Sequence, residues 1–265
     1  MGSLVPDLNS FSALCLNQIQ RETFINDVDF HQEIESTNTQ AALLCKQKST
    51  EPPTLILTER QTKGRGRGRN QWWAQAGCLT FSVIVDASNF TRPEHLPLIS
   101  LSTGWAIADL LEDYSPTQVV QLKWPNDVYM GTRKICGILT EMPSPDRVIV
   151  GIGLNVNNSF HTAPDQLKER ATSLFDQVGD EYPLTTILID LLKQLEQTWT
   201  RLAHNDLSFI ERWSHRCLLT GRTITHEMGD QQTIGLCQGI DKSGALLLRT
   251  EHKVERLIGG TIVAF

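Results

Sequence analysis

The chain has no C-x-x-C pair, no H-E-x-x-H and no clustering of histidine with cysteine, so nothing in its 265 residues reads as a protein-held zinc site. Its six cysteines, Cys15, Cys45, Cys78, Cys136, Cys217 and Cys237, follow no regular spacing and mostly stand among apolar neighbours. They read as small core residues in a reducing compartment rather than as a disulfide framework. A basic N-terminal segment leading into an apolar run is missing, and no stretch reaches the about 18 consecutive apolar residues of a helical membrane span. A soluble, cytoplasmic protein is therefore expected. Internal repeats and low-complexity tracts are lacking apart from one Gly/Arg run. That run does not match G-x-x-x-x-G-K-[ST], and it carries Arg69 where the dinucleotide fingerprint needs glycine. An excess of basic charge is lacking too: the formal net charge is -6 and the pI about 5.6, which argues against a protein built as a whole to hold nucleic acid.

What is present is an ordinary globular composition at a length suited to one core, or one core plus a small satellite. A short helix is expected around Phe11 to Gln20. At "IESTNTQAALLCKQ" the pair Thr37 and Gln40 has capping-box spacing, which predicts a helix opening near Asn38. "TLILTE" and "CLTFSVIV" read as strands, the second with Leu79, Phe81, Val83 and Val85 on one face. "LPLISLSTGWAIADLLEDY" places Leu98, Leu101, Trp105, Ala108 and Leu111 on one helical stripe, and "LTTILIDLLKQLEQTWTRL" repeats that spacing more cleanly. Between them lie three strand-like segments, "VVQLKWPNDVYM", "RKICGILTEM" and "RVIVGIGLNV", the first two joined by a tight turn at Gly131-Thr132. From about Leu219 the texture changes to short strands punctuated by glycine. A division into a domain of residues 1–218 and a small β domain of 219–265, docked on the first, is expected.

Four motifs carry chemistry, and each also has a purely structural reading. "TERQTKGRGRGRNQWW" sets Arg60, Lys63, Arg65, Arg67 and Arg69 in a loop between two strands. Its glycines let the backbone approach a ligand, and its guanidinium forks suit phosphate or carboxylate. A solvated charge run or an RG-type nucleic-acid segment is the plain alternative. "KWPND" offers Lys123 with Asn126 and Asp127 beside a proline that holds Trp124 extended, a set suited to phosphate and to Mg²⁺ or ribose; otherwise Trp124 is simply core. In "RKICGIL", Lys134 stands among apolar neighbours, where its head needs an anion or an exit to the strand's edge. "GIGLNVN" puts Gly151 and Gly153 inside an apolar strand, the mark of close approach by a ligand or of tight packing.

In the order "ESTN", "RQTKGRGRGRNQW", "KWPND", "RKICGIL", "GIGLNVN", closed by a small β domain, the chain resembles the biotin protein ligases from about residue 31 to 265. The seven residues from Asp127 to Lys134 strengthen the resemblance. It implies an α+β fold: a catalytic domain like that of class II aminoacyl-tRNA synthetases, a mixed sheet with helices on one side, followed by an SH3-like barrel. It also implies activation of biotin with Mg·ATP to biotinyl-5'-AMP and pyrophosphate, then transfer to one lysine of a biotin carboxyl carrier protein of a carboxylase. By that resemblance Ser36, Thr37, Asn38 and Gln61, with Gly64 and Arg65, hold biotin. Lys134 sits at the biotin carboxylate and the adenylate. Arg65, Arg67, Lys123, Asn126 and Asp127 serve ATP, Asp127 also as the Mg²⁺ contact, and Trp72 packs near the adenylate. Gly137, Gly151 and Asn155 line the site, and Lys134, Arg67 and Asp127 form the catalytic set. Neither a tightly held metal nor a prosthetic group is expected, no DNA or membrane partner is called for, and family members often form homodimers through an edge of the central sheet.

The rival within the same fold is a lipoate protein ligase. The polar "STN" and Gln61 weigh against it, because a pocket built to hydrogen-bond a ureido ring leaves polar groups unpaired against a dithiolane, at about 1 to 3 kcal/mol each. The roughly 35 residues before "ESTN" show no helix-turn-helix pattern, so a ligase without a repressor's DNA-binding domain is expected. Arg69 stands where relatives often have glycine. The free Gly/Arg loop is expected to be disordered and to order over the adenylate, shielding it from water.

Overall fold

The computed structural model describes residues 7–47, 50–90, 96–161 and 163–265. In chain order these form α1 (Ala13–Glu22), β1 (Asp27–Ile34), α2 (Thr37–Leu44), β2 (Thr54–Gln61), β3 (Cys78–Asp86), α3 (Leu96–Tyr114), β4 (Val120–Lys123), β5 (Asp127–Met130), β6 (Arg133–Ser144) and β7 (Arg147–Asn155). There follow α4 (Asp165–Lys168), α5 (Leu174–Val178), α6 (Leu184–Ala203), α7 (Ser208–Arg216), β8 (Thr223–Met228), β9 (Gln231–Ile240), β10 (Leu246–Arg249), β11 (Val254–Leu257) and β12 (Thr261–Ala264).

Strands β1 to β7 make one mixed sheet in the order β1-β2-β3-β7-β6-β5-β4, parallel between β1 and β2 and antiparallel elsewhere. Because side chains alternate across a strand, each central strand divides its residues between two faces. Leu79, Phe81, Val83 and Val85 of β3 join Val148, Val150, Ile152 and Leu154 of β7 in the main core, packed against α1, α3 and α6. The stripes expected on α3 and α6 are buried there, including Leu98, Leu101, Leu111, Leu188 and Leu195. On the opposite face the same strands carry Thr80, Ser82, Gly151 and Gly153, with Ile84 and Ile149 meeting Ala41 of α2 and Ile56 of β2 in a second, smaller core. Helices therefore do not lie on one side only: α2 sits on the far face, because Ala41 is the small residue that lets a helix rest on Ile56, Ile84 and Ile149.

Two local expectations are corrected. No capping box forms at α2. The helix begins at Thr37 with Ser36 at the cap position, and the Gln40 side chain donates to Asp29 at 2.9 Å. "VVQLKWPNDVYM" is not one strand but the hairpin of β4 and β5, in which Lys123 pairs with Asp127 around Trp124, Pro125 and Asn126. Helices α4, α5 and α7 had no clear sequence signal.

Strands β8 to β12 form a separate five-stranded antiparallel sheet in the order β11-β10-β9-β8-β12, with turns at Gly229 and Asp230 and across 241–244 as expected. It rests against α7 and the N-terminal half of α3. The Trp124 indole N–H donates to the Gly244 carbonyl at 3.0 Å, and an added Cβ at Gly244 would come within 2.8 Å of Leu98 and Leu101 side-chain atoms. That docking brings the 259–265 segment alongside the hairpin of β4 and β5, and so into the site.

Candidate active site

The floor of the site is the sparse face of the large sheet. The register Thr80↔Gly153↔Gly137 and Ser82↔Gly151↔Leu139 lays rows dominated by small residues, Leu139 excepted, across β3, β7 and β6. Two side chains occupy the space this leaves. A Cβ on Gly151 would fall 1.9 Å from Asn38 Oδ1, and one on Gly153 would fall 2.3 Å from the Trp72 indole. The close approach read from "GIGLNVN" is thus made by Asn38 and Trp72. Above the floor opens a cavity of about 400 Å³, a size typical of small-molecule sites.

One end of the cavity is polar and buried, its charges confined to an Arg65–Glu141 pair at the margin. Ser36, Thr37, Asn38 and Gln61 are each under a tenth exposed. The turn from β1 into α2 presents the backbone N–H and hydroxyl of Thr37 to Gln61 Oε1, at 2.7 and 3.2 Å. Ser82 Oγ lies 2.8 Å from Thr37 Oγ1 and 2.7 Å from Asn38 Oδ1. The Asn38 amide then donates to the Leu139 carbonyl at 3.1 Å and to Glu141 at 2.8 Å, while Arg65 closes a two-pronged pair on Glu141 at 2.6 and 3.1 Å. Such a linked set holds its donors and acceptors in fixed directions before any ligand arrives.

The other end is cationic. Lys134 Nζ meets Asp127 Oδ1 at 2.6 Å and stands 5.8 Å from the centre of the Trp72 ring. Arg67 reaches the Gly260 carbonyl of the small β domain, and Lys123 Nζ reaches the Ile262 carbonyl at 3.3 Å while lying 4.3 Å from the Phe265 ring. Burial lowers the affinity of Lys123 and Arg67 for their protons, and the Asp127 charge opposes that in both. Asn126 donates to the Ile138 carbonyl at 2.7 Å, which ties the hairpin of β4 and β5 to β6. Among the described residues no group of three or more His, Cys, Asp or Glu side chains could hold a metal ion. A lone carboxylate, Asp127, suits Mg²⁺ that arrives on the phosphates of a nucleotide.

The expected site residues mostly converge. Ser36, Thr37, Asn38, Gln61, Arg65, Arg67, Trp72, Lys123, Asn126, Asp127, Lys134, Gly137 and Gly151 all line the one cavity. Gly64 and Asn155 do not. Gly64 lies under Trp72, where an added Cβ would be 2.4 Å from the Trp72 carbonyl oxygen. Asn155 is buried beside the site, donating to the Thr172 carbonyl at 3.0 Å and accepting from Asn158 at 3.2 Å. Near it, burial raises the Cys78 thiol to about 11, with its contact to Thr80 pulling the other way. The five cations of the loop divide as well. Arg60 and Lys63 pair with Glu33 and Glu35 of the β1 edge at 3.1 and 2.6 Å, Arg69 is exposed, and only Arg65 and Arg67 face the cavity. Nor is the loop shapeless. Gly66 donates to the Asn70 carbonyl at 2.8 Å and Trp72 to the Gly64 carbonyl at 3.0 Å, so the stretch expected to be disordered folds into a small hairpin.

Sequence reasoning missed Glu141, Arg170 and the pair Thr261 and Ile262, all of which stand at the site. For Glu141 a signal existed: it continues the site-facing alternation of Gly137 and Leu139 along β6. Thr261 and Ile262 had none, since only the docking of two domains brings them there.

Residues 30–157 match the Biotin/lipoate A/B protein ligase family, and residues 220–264 match the biotin protein ligase C-terminal domain. The chain is 30% identical over 218 residues to a biotin--[acetyl-CoA-carboxylase] ligase of Mycobacterium tuberculosis, covering 79% of this chain and 78% of that one. It is 28% identical over 242 residues to the bifunctional ligase/repressor BirA of Bacillus subtilis, covering 88% of this chain and 72% of the relative. In three dimensions it is similar to the biotin protein ligase of Aquifex aeolicus solved in complex with biotin and ATP, with a TM-score of 0.77, 28% identity and coverage of 90% of this chain and 98% of the other. With both of the family's regions matched in order, and a single cavity gathering the motifs that suggested it, this chain belongs to the biotin protein ligase family.

Proposed function

We propose that the protein activates biotin with Mg·ATP, forming biotinyl-5'-AMP and pyrophosphate, and then passes the biotinyl group to one lysine of a biotin carboxyl carrier protein. The observation that carries this reading is the polarity gradient of the cavity, from a buried uncharged network at Thr37, Asn38 and Gln61 to three cations at Lys134, Arg67 and Lys123. A ureido ring has both donors and acceptors and carries no charge, so it suits the first end. A carboxylate and a triphosphate suit the second.

The division of labour follows from charge. The biotin carboxylate must approach the α-phosphate of a polyanion, and two like charges about 4 Å apart repel by roughly 4 kcal/mol at an effective dielectric near 20. Lys134 and Arg67 cancel that repulsion and hold the charge that builds on phosphorus oxygens, which is catalysis by positioning and electrostatics. No base is required, because the carboxylate is already ionised. In the first step Asp127 orients Lys134 through their 2.6 Å contact, and it is the carboxylate that would hold Mg²⁺ arriving with ATP. Mg²⁺ supplies charge neutralisation on the phosphates. In the second step, unlike the first, a proton must be removed: the acceptor ammonium loses it to become a free amine, which attacks the carbonyl carbon of the mixed anhydride, and the C–O bond to phosphate breaks as AMP leaves. Residues 219–265 act in this reading as a lid domain on a catalytic domain of residues 1–218, a role supported by the contacts that Gly260 and Ile262 make with Arg67 and Lys123.

The reading is tested by incubating the protein with biotin and Mg·ATP, then with an isolated carrier domain, and following biotinyl-adenylate and carrier mass. Biotin-dependent adenylate followed by one added biotinyl group per carrier is expected; neither species with biotin, but both with lipoate, would transfer the assignment to the rival acid. Arg67→Gly should loosen the hold on the adenylate. Labelling of bystander lysines is expected to rise about tenfold, the effect of losing one charged hydrogen bond. Unchanged retention would remove Arg67 from the set that holds the intermediate.

A further inference from the structure

His226 has no place in the account above, yet it lies two contacts from the reacting groups. It is a buried residue of β8, 3% exposed, and its ring Nε2 lies 2.8 Å from the Gly259 carbonyl. A carbonyl only accepts, so Nε2 carries the proton and donates. The next residue, Gly260, has a φ of +96° and sits on the imidazole, where an added Cβ would be 2.1 Å from Nε2. Its carbonyl accepts from the Arg67 guanidinium. Two residues further, the Ile262 carbonyl accepts from Lys123 at 3.3 Å, and Ile262 pairs with His226 across β12 and β8. The Gly259–Gly260 turn, pinned from beneath by one histidine, thus presents a carbonyl to Arg67, and the strand that leaves it presents another to Lys123.

We propose that His226 is a positioning residue for the nucleotide half of the reaction. By fixing the Gly259–Gly260 turn it sets where the Arg67 guanidinium stands, and so couples the small β domain to the retention of ATP and of the adenylate. The inference rests on the reading that Arg67 serves ATP. A turn left free to move takes the Gly260 carbonyl with it, and Arg67 then samples positions that no longer bracket the phosphates. The pinning needs a ring-sized group with a donor at its far end. Volume alone does not supply it.

The test uses the full chain and three variants. His226→Gln keeps an N–H at a reach close to that of Nε2; His226→Leu keeps the bulk and drops the donor. Leu248→Val, in the same small sheet, removes core volume without touching the turn and controls for loss of stability. Amide exchange over residues 63–70 and 259–262, KM for ATP against kcat in biotin-dependent pyrophosphate release, and escape of the adenylate to free amines are read for each. His226→Leu is expected to raise KM for ATP and adenylate escape about fivefold, the usual size of one lost neutral hydrogen bond. It is also expected to speed exchange in both segments while kcat moves less. His226→Gln should stay within about twofold of the parent, and Leu248→Val should leave the ratio of KM to kcat unchanged. Parent-like KM, escape and exchange in His226→Leu would overturn the proposal, as would the same changes appearing in Leu248→Val. If exchange rises but the parent itself releases no pyrophosphate with biotin, the premise about Arg67 fails and the inference goes with it. That outcome is distinct from an active parent with an indifferent His226→Leu.

Discussion

Lys134→Ala is expected to lower biotin-dependent pyrophosphate release by about 10²- to 10³-fold, the usual cost of removing one preorganised group that meets charge developing in a transition state. The fold should survive. Lys134 is not a core residue: its side chain is 30% exposed, and it meets Asp127 and the face of Trp72. What disappears is the one ammonium placed between the polar end, where the biotin ring is read to lie, and the phosphate end. Asp127 then loses its 2.6 Å partner and presents a less compensated negative charge to an incoming carboxylate, so the variant is expected to lose rate more than biotin affinity. Initial rates of pyrophosphate release and an unchanged melting temperature would support this. Near-normal turnover would remove Lys134 from the catalytic set.

The second large effect is expected from the smallest change. Gly151→Ala adds one methyl to the floor, 1.9 Å from Asn38 Oδ1, where no real Cβ contact can be accommodated. Gly151 lies in β7, paired with Ser82 of β3 and Leu139 of β6, so the backbone has little freedom to yield. Asn38 must move instead. It would leave Ser82, the Leu139 carbonyl and Glu141 together, since those three contacts fix the amide. Overpacking of this kind costs about 1 to 3 kcal/mol, and each polar group left without its partner costs about the same again. Biotin binding, read by calorimetry, is expected to weaken about 10- to 100-fold, with ATP affinity altered far less. An unchanged biotin affinity would mean that the Asn38 network does not form the biotin end of the cavity.

Much of this site was legible in the sequence because its chemistry is concentrated in short segments. "KWPND" and "RKICGIL" each lie on one strand or hairpin, so neighbours in sequence remain neighbours in space, and Lys123, Asp127 and Lys134 stay together in the structure. The alternation of Leu79, Phe81, Val83 and Val85 along β3 foretold its core face, while at Gly151 and Gly153 of β7 it is the packing alternative that the structure shows, with side chains laid on both. Sequence could not say what approached, because Asn38 and Trp72 come from elements far away in the chain. Charge density misled in part. Five cations in one loop looked like a single anion device, yet Arg60 is taken up by Glu33 across the parallel register of β1 and β2, and Lys63 by Glu35 just past the end of β1. The capping box failed because the helix begins one residue early, with Ser36 at the cap, so Gln40 is out of place to accept from the cap N–H and its amide donates to Asp29 instead. Least legible was the contribution of the small β domain. Gly259 to Ile262 reads as an ordinary glycine turn into a strand, and only its docking beside β4 and β5 turns two backbone carbonyls toward Arg67 and Lys123.

The central claim is that the cavity joins a ureido-binding end to a phosphate-binding end. It is tested most directly by calorimetry of the full chain with biotin and with lipoate, followed by addition of Mg·ATP and measurement of pyrophosphate. Biotin binding, no comparable lipoate binding, and pyrophosphate that appears only when biotin is present are the predicted results. Failure of biotin to bind, or pyrophosphate release indifferent to it, would contradict the claim and with it the roles given to Thr37, Asn38, Gln61 and Lys134.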